Sequence, residues 1–310
     1  MHEPVLRGAV MAALRPMAGW RILDMTVGGG GHAASLLRAI SPGGSLIGVD
    51  KDERALAVAA GVLAFGGDAV RLVHADFKRL PAAGVPAFAA GFHGILADLG
   101  CSSMQLDDSD RGFSFRLDGP LDMRMDTSTG VTAARYLETI SEGELGQVIR
   151  DYGEERWWRR IARAIVRERA GEPITTTGRL ARVVERVAPR RGSDRIHPAT
   201  RTFQAIRIAV NGELDGLEEA LAAAIGWLLP GGRLAVIAFH SLEDRIVKRL
   251  FARESKDCLC PPEVIECRCG HVSTGRAVTR RPVRPENDEV RRNPRARSAR
   301  LRVFEKAGAV

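Results

Sequence analysis

Four consecutive glycines near the start of the chain lie between a strand-like apolar segment and a helix-compatible one. The apolar segment is Arg21–Met25, the glycines are Gly28–Gly31, and the helix-compatible residues run from Ala33 to Ile40. Glycine tolerates positive φ and has no Cβ, and the helix that follows presents unpaired N–H groups at the positive end of its dipole. This arrangement predicts an α/β fold in which a nucleotide-like ligand approaches the backbone of the turn.

A second apolar segment strengthens the prediction of nucleotide or nucleoside binding. Leu46–Val49 is followed by Asp50, at about the separation from the turn at which an acid meets a ribose hydroxyl in a βαβ unit. A glycine-rich turn without such a partner is equally compatible with an ordinary tight turn. The prediction therefore depends on the turn and the acid together.

Strand-like segments alternate with helix-like ones as far as residue 99, which predicts a parallel sheet with right-handed crossovers. The predicted strands are Arg21–Met25, Leu46–Val49, Val70–His74 and Gly94–Ala97. Asp50, Asp76 and Asp98 follow the last three strands, at the sheet edge where ligands bind. Acids in such positions can be solvated loop residues, but three of them on one edge favour a functional site.

Helical periodicity replaces this alternation between about residues 107 and 200. Trp158, Ile161 and Ile165 lie at helical spacing and predict core packing, while the arginines around them fit either a solvated face or a face toward RNA. We therefore expect an inserted helical domain at residues 108–200, between two parts of one α/β domain at residues 1–107 and 201–310.

The sheet resumes in the last third of the chain. Leu228–Arg233 predicts a helix stop and a turn, and Leu234–Phe239 predicts a buried strand. In Arg300–Val303 apolar and basic residues alternate, which is typical of an edge or near-edge strand with one wet face.

Composition and charge limit the class of protein. The chain has 310 residues, a net charge of +8 and a pI near 9.8, and 11 basic residues against 4 acidic ones between Arg276 and Lys306. A basic balance favours a polyanionic partner, although it is also compatible with solubility alone. No apolar run approaches the roughly 20 residues that span a bilayer, and the start of the chain does not resemble a signal peptide. We expect a cytoplasmic protein with no membrane partner.

Four of the five cysteines form two Cys-x-Cys pairs, with His271 nearby. The pairs are Cys258 with Cys260 and Cys267 with Cys269. They suggest zinc, but structural zinc sites usually separate paired cysteines by two to four residues. The spacing favours a reduced, flexible loop, so the expectation from the sequence is that no metal is bound.

The glycine turn and the strand-end acids also distinguish between cofactors. A nicotinamide cofactor normally requires Gly-x-Gly-x-x-Gly, whereas these glycines are uninterrupted and follow Asp24, an acid suited to a cationic ligand group. S-adenosylmethionine combines adenosine, an ammonium and a sulfonium, and it fits acids on successive strand ends better than a dinucleotide does. A dinucleotide oxidoreductase remains the alternative among enzymes.

From end to end, the chain resembles the bacterial small-subunit ribosomal RNA cytosine-N4 methyltransferase family. The matching segments are His2–Leu6, Gly30–His32, Asp98–Ser103, Gln105–Asp108, Arg111–Phe115, Gly119–Met125, Tyr152–Arg156, His197–Ala205, Phe239–Arg245 and Asn293–Ser298. The resemblance implies a class I methyltransferase fold, Rossmann-like with a mostly parallel seven-stranded sheet, interrupted by a helical domain for substrate recognition. It also implies S-adenosylmethionine-dependent methylation of the exocyclic N4 of a cytidine in the decoding centre of 16S rRNA.

The resemblance also implies roles for individual residues. The implied cofactor contacts are Gly30, Gly31, His32, Asp50, Phe77, Asp98 and Gln105. From the residues alone, Phe77 is better explained as an ordinary core aromatic, and the alternative for His32 is a helix-start residue that satisfies local backbone groups.

Asp98 is the predicted catalytic residue. Methyl transfer requires in-line approach of the nucleophile, and an acceptor near the cytosine amine could favour its nucleophilic form and take up the proton. Many amine methyltransferases of the wider fold carry a Pro-Pro-aromatic motif here, which this chain lacks, so the stacking partner of the flipped base is unidentified. A non-catalytic RNA-binding assembly factor is the alternative from another class.

The expected partner is 16S rRNA within an assembled or late-assembly small ribosomal subunit, and the oligomeric state stays open. We expect contacts with RNA phosphates from Arg195, Arg201, Arg207 and the basic residues between Arg291 and Arg302. His197 could be catalytic, but its place just before a proline favours a helix cap.

Overall fold

The computed structural model describes residues 4–80, 88, 90–188, 197–264 and 266–308. Its chain divides into two compact units. The first consists of residues 1–100 and 216–310, and the second of residues 101–215. The sequence placed these boundaries at residues 107/108 and 200/201, so the inserted unit begins earlier and ends later than expected.

Strands of the first unit form one seven-stranded sheet. They are β1 (Arg21–Asp24), β2 (Ser45–Asp50), β3 (Val70–His74), β4 (Phe92–Asp98), β5 (Leu228–Ala238), β6 (Gly275–Ala277) and β7 (Arg300–Lys306). The order is β3-β2-β1-β4-β5-β7-β6, with β1 to β5 parallel and β7 antiparallel to both of its neighbours. The predicted mostly parallel seven-stranded fold is confirmed, and the Arg300–Val303 segment belongs to a near-edge strand.

The α-helices follow in chain order. They are α1 (Arg7–Leu14), α2 (Gly31–Ile40), α3 (Glu53–Leu63), α4 (Ser103–Asp107), α5 (Ala133–Thr139), α6 (Glu142–Asp151), α7 (Trp158–Gly171), α8 (Thr177–Val187), α9 (Ala199–Asn211), α10 (Leu217–Trp227), α11 (Ser241–Glu254) and α12 (Asn287–Arg292). Among the described residues, no helix is both long and apolar enough to cross a membrane.

The core of the first unit explains why α2 lies where it does. Ala33, Leu36, Leu37 and Ile40 of this helix are almost fully buried, at the i, i+3, i+4, i+7 spacing of one apolar face. They belong to the same apolar cluster as Ile22 of β1. Burying this face against the sheet fixes the start of α2 directly after the glycine turn.

The start of β5 differs from the sequence-based expectation. Leu228–Arg233 was predicted as a helix stop and a turn, yet Leu228 already pairs with Phe92 of β4. The register then shifts before Arg233 pairs with Gly94, and Gly231 has a φ of +75°. The turn is therefore an irregularity within the strand, which pairs with β4 on both sides of it.

In the second unit, α5 to α9 contribute to a separate apolar core. Ile161 and Ile165 are fully buried, as the helical spacing predicted, and Trp158 packs against the same cluster. A Cβ on Gly146 would lie 2.9 Å from the Trp158 ring, so the glycine lets the ring approach α6 closely. Phe203 of α9 also belongs to this core, which is why the unit extends past the boundary expected from the sequence.

Candidate cofactor and catalytic site

Three carboxyl groups lie at the ends of neighbouring strands in the first unit. Asp24, Asp50 and Asp98 are the last residues of β1, β2 and β4, and β1 lies between the other two strands. From β1 the chain continues to β2 and β3 on one side, whereas β4 lies on the other side. Ligands of open α/β sheets bind at such a reversal of strand order, outside the carboxyl ends of the strands.

The glycine turn connects β1 to α2 beside these carboxyl groups. Gly28 and Gly30 have φ values of +50° and +85°, in the left-handed region that disfavours side chains. Gly31 begins α2, and a Cβ on it would lie 2.7 Å from Cγ of Pro4. Among the described side chains, none caps the first turn of α2. The first N–H groups of α2 therefore face the carboxyl ends of the strands without a side-chain cap and are available to a ligand.

Asp50 holds the glycine turn in place. One carboxylate oxygen accepts a hydrogen bond from the Gly28 N–H at 2.8 Å, and the other accepts one from the Asp52 N–H at 2.9 Å. Burial raises the pKa of Asp50 in spite of these two bonds. Each oxygen keeps a second lone pair, so the predicted contact with a ribose is compatible with this geometry and stays a prediction.

Asp24 is a buried acid that the sequence associated with a cationic ligand group but did not include among the site residues. Its side chain is 1% exposed; Oδ1 accepts a hydrogen bond from the Thr26 N–H at 3.1 Å, and Oδ2 has no partner among the described residues. Burial, reinforced by the charge of Asp50, raises the pKa of Asp24 to about 7. A neighbouring cation would favour the ionised form.

Asp98 has a similar environment at the end of β4. Its backbone N–H donates to Oγ1 of Thr26 at 2.6 Å, while Oδ1 is buried and has no partner among the described residues. Burial, with the charges of Asp24 and Glu243, holds the pKa of Asp98 well above its ordinary value. The strand ends therefore carry carboxyl groups that are costly to ionise unless a positive group lies beside them.

His32, the second residue of α2, is neutral at neutral pH because burial lowers its pKa to about 4. Its Nε2 lies 3.7 Å from Oδ2 of Asp98, which is too long for a hydrogen bond, and has no hydrogen-bond partner among the described residues. The two side chains are therefore neighbours but not an ion pair. The predicted cofactor contact of His32 stays a prediction.

The features of this edge fit S-adenosylmethionine. Oδ2 of Asp24, Nε2 of His32 and Oδ1 of Asp98 are buried polar atoms without a partner among the described residues. Such atoms are costly unless a ligand or water satisfies them. The carboxyl groups match an ammonium or a sulfonium, and the open turn leaves room for the rest of an adenosine-containing ligand.

Two residues that follow β3, Asp76 and Phe77, were associated with the site from the sequence. Asp76 accepts a hydrogen bond from the Lys78 N–H at 3.0 Å and lies 3.8 Å from Nζ of the same lysine. It therefore caps a short 3-10 turn, much as Asp50 accepts a bond from the N–H two residues further on, and its predicted place among the strand-end acids of one site stays a prediction. Phe77 begins that turn and is half-buried. Its predicted place beside the adenine stays a prediction.

Gln105 belongs to the second unit. It is the third residue of α4, and its side-chain oxygen accepts a hydrogen bond from the Ser102 N–H at 3.0 Å. The Ser102 hydroxyl accepts one from the Gln105 N–H at 3.2 Å, so the two residues form a capping box. The contact of Gln105 with a cofactor stays a prediction.

His197 caps a helix, as its position suggested. Its Nδ1 accepts a hydrogen bond from the Ala199 N–H at 3.2 Å, and its ring lies 4.5 Å from that of Phe115. These contacts occupy the imidazole within the second unit and give it a structural role.

Several of the arginines expected to contact RNA phosphates are engaged within the protein, and Arg207 and Arg302 are the most fully bound. Arg207 donates two hydrogen bonds of 2.8 Å to Glu213, and Arg302, only 7% exposed, donates to Asp244 at 2.6 and 3.2 Å. A buried carboxylate on α11 thus draws the Arg302 side chain inward, so the wet face predicted for β7 is wrong at this residue. Arg195 lies outside the described residues.

Glu243 on α11 is a site neighbour that the sequence did not identify. It is 2% exposed, and its Oε2 accepts hydrogen bonds from the N–H groups of Phe239 and His240 at 2.8 and 3.2 Å. Its charge also raises the pKa of Asp98. A glutamate at the third position of a helix is a capping signal that the sequence shows. Its effect on the pKa of Asp98 depends on packing between distant parts of the chain, which local sequence does not show.

Comparison with known proteins gives one family over nearly the whole chain. A profile of the MraW methylase family matches residues 1–307. Proteins named ribosomal RNA small subunit methyltransferase H are similar: that of Symbiobacterium thermophilum is 51% identical, covering 99% of this chain and 97% of its own. The corresponding protein of Heliobacterium modesticaldum is 49% identical over 98% of both chains. The chain therefore belongs to the MraW methylase family, and the cofactor expected from its sequence, S-adenosylmethionine, is confirmed.

Proposed function

We propose that the protein transfers a methyl group from S-adenosylmethionine to the exocyclic N4 of a cytidine in the decoding centre of 16S rRNA. The names of its relatives support small-subunit ribosomal RNA as the substrate. The motifs shared with the cytosine-N4 methyltransferases support the target atom. The observation that carries the proposal is the carboxyl group of Asp98, which ends β4 beside the glycine turn with a buried, unpartnered Oδ1.

The chemistry requires an acceptor at the nucleophile. S-adenosylmethionine supplies an electrophilic methyl group on its sulfonium. Asp98 accepts a hydrogen bond from the cytosine amine, orients the nitrogen lone pair, and takes up the proton directly or through water. Because burial raises its pKa, Asp98 is a stronger proton acceptor than an exposed aspartate. Orientation supplies much of the acceleration, because effective molarities on the order of 10⁵–10⁸ M are reached in favourable intramolecular cases.

The remaining site residues bind the cofactor in this proposal. Gly30 and Gly31 admit it to the start of α2, and Asp50 receives its ribose. Neutral His32 offers a ring nitrogen without adding a positive charge that would repel the sulfonium. Phe77 and Gln105 complete the set, as the resemblance implies.

In this proposal the second unit binds RNA through arginines that stack on tryptophans. The guanidinium of Arg159 lies 4.2 Å from the centroid of the Trp158 ring, and that of Arg160 lies 4.7 Å from the Trp157 ring. Both arginines are exposed. Stacking holds a planar donor group in place for a phosphate. This surface replaces Arg207 and Arg302 as the proposed phosphate contact.

The decisive experiment is transfer of labelled methyl from S-adenosylmethionine to small ribosomal subunits from cells that lack this enzyme. Nucleoside mass analysis of the recovered RNA should give N4-methylcytidine, and naked 16S rRNA should be a poorer substrate than an assembled or late-assembly subunit. Methylation at another atom or in another RNA would overturn the assignment. We further propose that the reaction takes place in the cytoplasm, where these subunits assemble.

A further inference from the structure

An exposed segment between α11 and β6 contains four of the five cysteines. Of its described residues from Lys256 to Gly270, which exclude Ile265, only Cys260 is partly shielded from solvent. A segment of this length without regular structure cannot be ordered by a hydrophobic core of its own. Small segments of this kind are commonly held by disulfides or by a metal.

The four sulfur atoms form a compact cluster. All lie within 4.8 Å of one another, and the measured separations are 3.3 Å for Cys258 and Cys267, 3.6 Å for Cys267 and Cys269, and 3.9 Å for Cys258 and Cys269. A tetrahedral zinc site with Zn–S bonds of about 2.3 Å places its sulfurs about 3.8 Å apart. Disulfide sulfurs would be about 2.05 Å apart. The observed spacing matches the edges of a metal coordination sphere.

Backbone N–H groups point at these sulfurs. The Leu259 N–H donates to Sγ of Cys269 at 3.3 Å, and the Cys260 N–H donates to Sγ of Cys258 at 3.3 Å. The Arg268 N–H donates to Sγ of Cys260 at 3.5 Å. Hydrogen bonds to sulfur favour the thiolate, which is the form that binds metal, and orient it as outer contacts of metal sites do.

His271 has a different role from the cysteines. Its Nε2 lies 3.0 Å from the carbonyl oxygen of Arg253 at the end of α11, so the imidazole is tied to the helix. The sulfur atoms of Cys267 and Cys269 approach within 3.6 Å although a single residue separates them in the sequence. The short Cys-x-Cys spacing, which led us to expect no metal, is therefore compatible with one coordination sphere.

We propose that this segment binds one Zn²⁺ ion in a closed site made of Cys258, Cys260, Cys267 and Cys269. Four thiolates leave no open position for water or substrate, so the zinc is structural and takes no part in methyl transfer. It links the residues that follow α11 to those that precede β6 and orders the exposed chain between them. This inference is independent of the substrate of the enzyme.

The test is metal analysis of the full-length protein, produced without a polyhistidine tag and dialysed under reducing conditions. We expect one equivalent of zinc, and loss of that equivalent in Cys258→Ser and in Cys267→Ser. Cys101→Ser, the same substitution at the cysteine outside the segment, should keep the full equivalent. Chelator-stripped wild-type protein titrated with Co²⁺ should give the visible absorption bands of a tetrahedral thiolate site, which tests the proposal even if a serine variant fails to fold.

Several results would overturn the proposal. Zinc far below one equivalent, before and after incubation of the reduced protein with Zn²⁺, would exclude the site. Zinc retained by both serine variants would mean that the metal binds elsewhere. A native mass lower by two hydrogens for each missing thiol pair would identify disulfides, and iron with inorganic sulfide would identify a different centre.

Discussion

Replacing Asp24 by Asn should change how the stability of the first unit depends on pH. The folded protein raises the pKa of this buried carboxyl from 3.8 to about 7, chiefly through burial. Its folded pKa lies above the unfolded value, so the folded state binds more protons. The contribution of the Asp24 carboxyl to the free energy of unfolding is therefore fully present below about pH 4 and is lost as the pH rises toward 7.

The magnitude follows from the pKa difference. At about 1.4 kcal/mol for each tenfold change in proton affinity, a rise from 3.8 to about 7 amounts to about 4 kcal/mol. Wild-type protein should lose most of this free energy of unfolding between pH 4 and pH 7. Asparagine cannot ionise, so the free energy of unfolding of Asp24→Asn should not show this decline with pH. Any cost of burying the amide would shift the whole pH curve by a constant amount.

Asp244→Asn is the matched control, because the pKa of Asp244 is shifted in the opposite direction. Its carboxylate accepts hydrogen bonds from Arg300 and Arg302, which lower its pKa against the opposing effect of burial. The stability it contributes is present above its ordinary pKa of 3.8 and is lost as the pH falls through the lowered value. This variant should therefore be less stable than wild type at neutral pH, and the difference should shrink in acid.

Hydrogen exchange of buried amides in β1 and β4 provides the assay, because it reports the first unit separately from the second. The quantity compared is the free energy of opening of wild type and each variant from pH 4 to pH 8, without cofactor. Parallel curves for wild type and Asp24→Asn would show that Asp24 ionises freely in the folded protein. That result would refute the raised pKa of Asp24 in the folded protein.

Three further outcomes follow from the site and the proposed RNA surface. Asp98→Asn should lower turnover by about 10²–10⁴-fold while ribosomal subunits still bind, and unchanged turnover in a methyl-transfer assay would exclude Asp98 as the proton acceptor. Gly30→Ala should cost about 1–2 kcal/mol of stability because the φ of Gly30 is +85°, whereas Gly61→Ala in α3, with open space around its Cβ position, should cost nothing in a urea melt. Replacing Arg159 and Arg160 by Glu should reduce the slope of log affinity against log salt by about 1 for each lost phosphate contact, and an unchanged slope would remove them from the RNA surface.

Local sequence patterns predicted the sheet well, because each strand carries its own signal. Leu46–Val49 and Gly94–Ala97 are short apolar segments followed directly by an acid, and both lie in the parallel sheet as β2 and β4. The glycine turn was predictable for the same reason, since Gly28 and Gly30 take the positive φ values that such a turn requires.

Partners distant in the sequence were not predictable from local patterns. The alternation in β7 indicated that Arg302 faces solvent, but Asp244 on α11 binds it in the interior. An alternating strand pattern predicts the direction of a side chain. The residue that the side chain contacts depends on elements elsewhere in the chain.

The carboxyl edge also separates the two cofactor classes that the sequence left open. Asp24 is buried and Asp98 is partly buried, and the pKa values of both are raised partly by neighbouring carboxylates. A positive group beside these carboxyl groups is therefore stabilised, whereas a negative group is repelled. A dinucleotide would bring a pyrophosphate to the turn, and its charge would add to this repulsion. A sulfonium and an ammonium have the opposite effect. The electrostatics of the strand ends thus favour a cationic methyl donor.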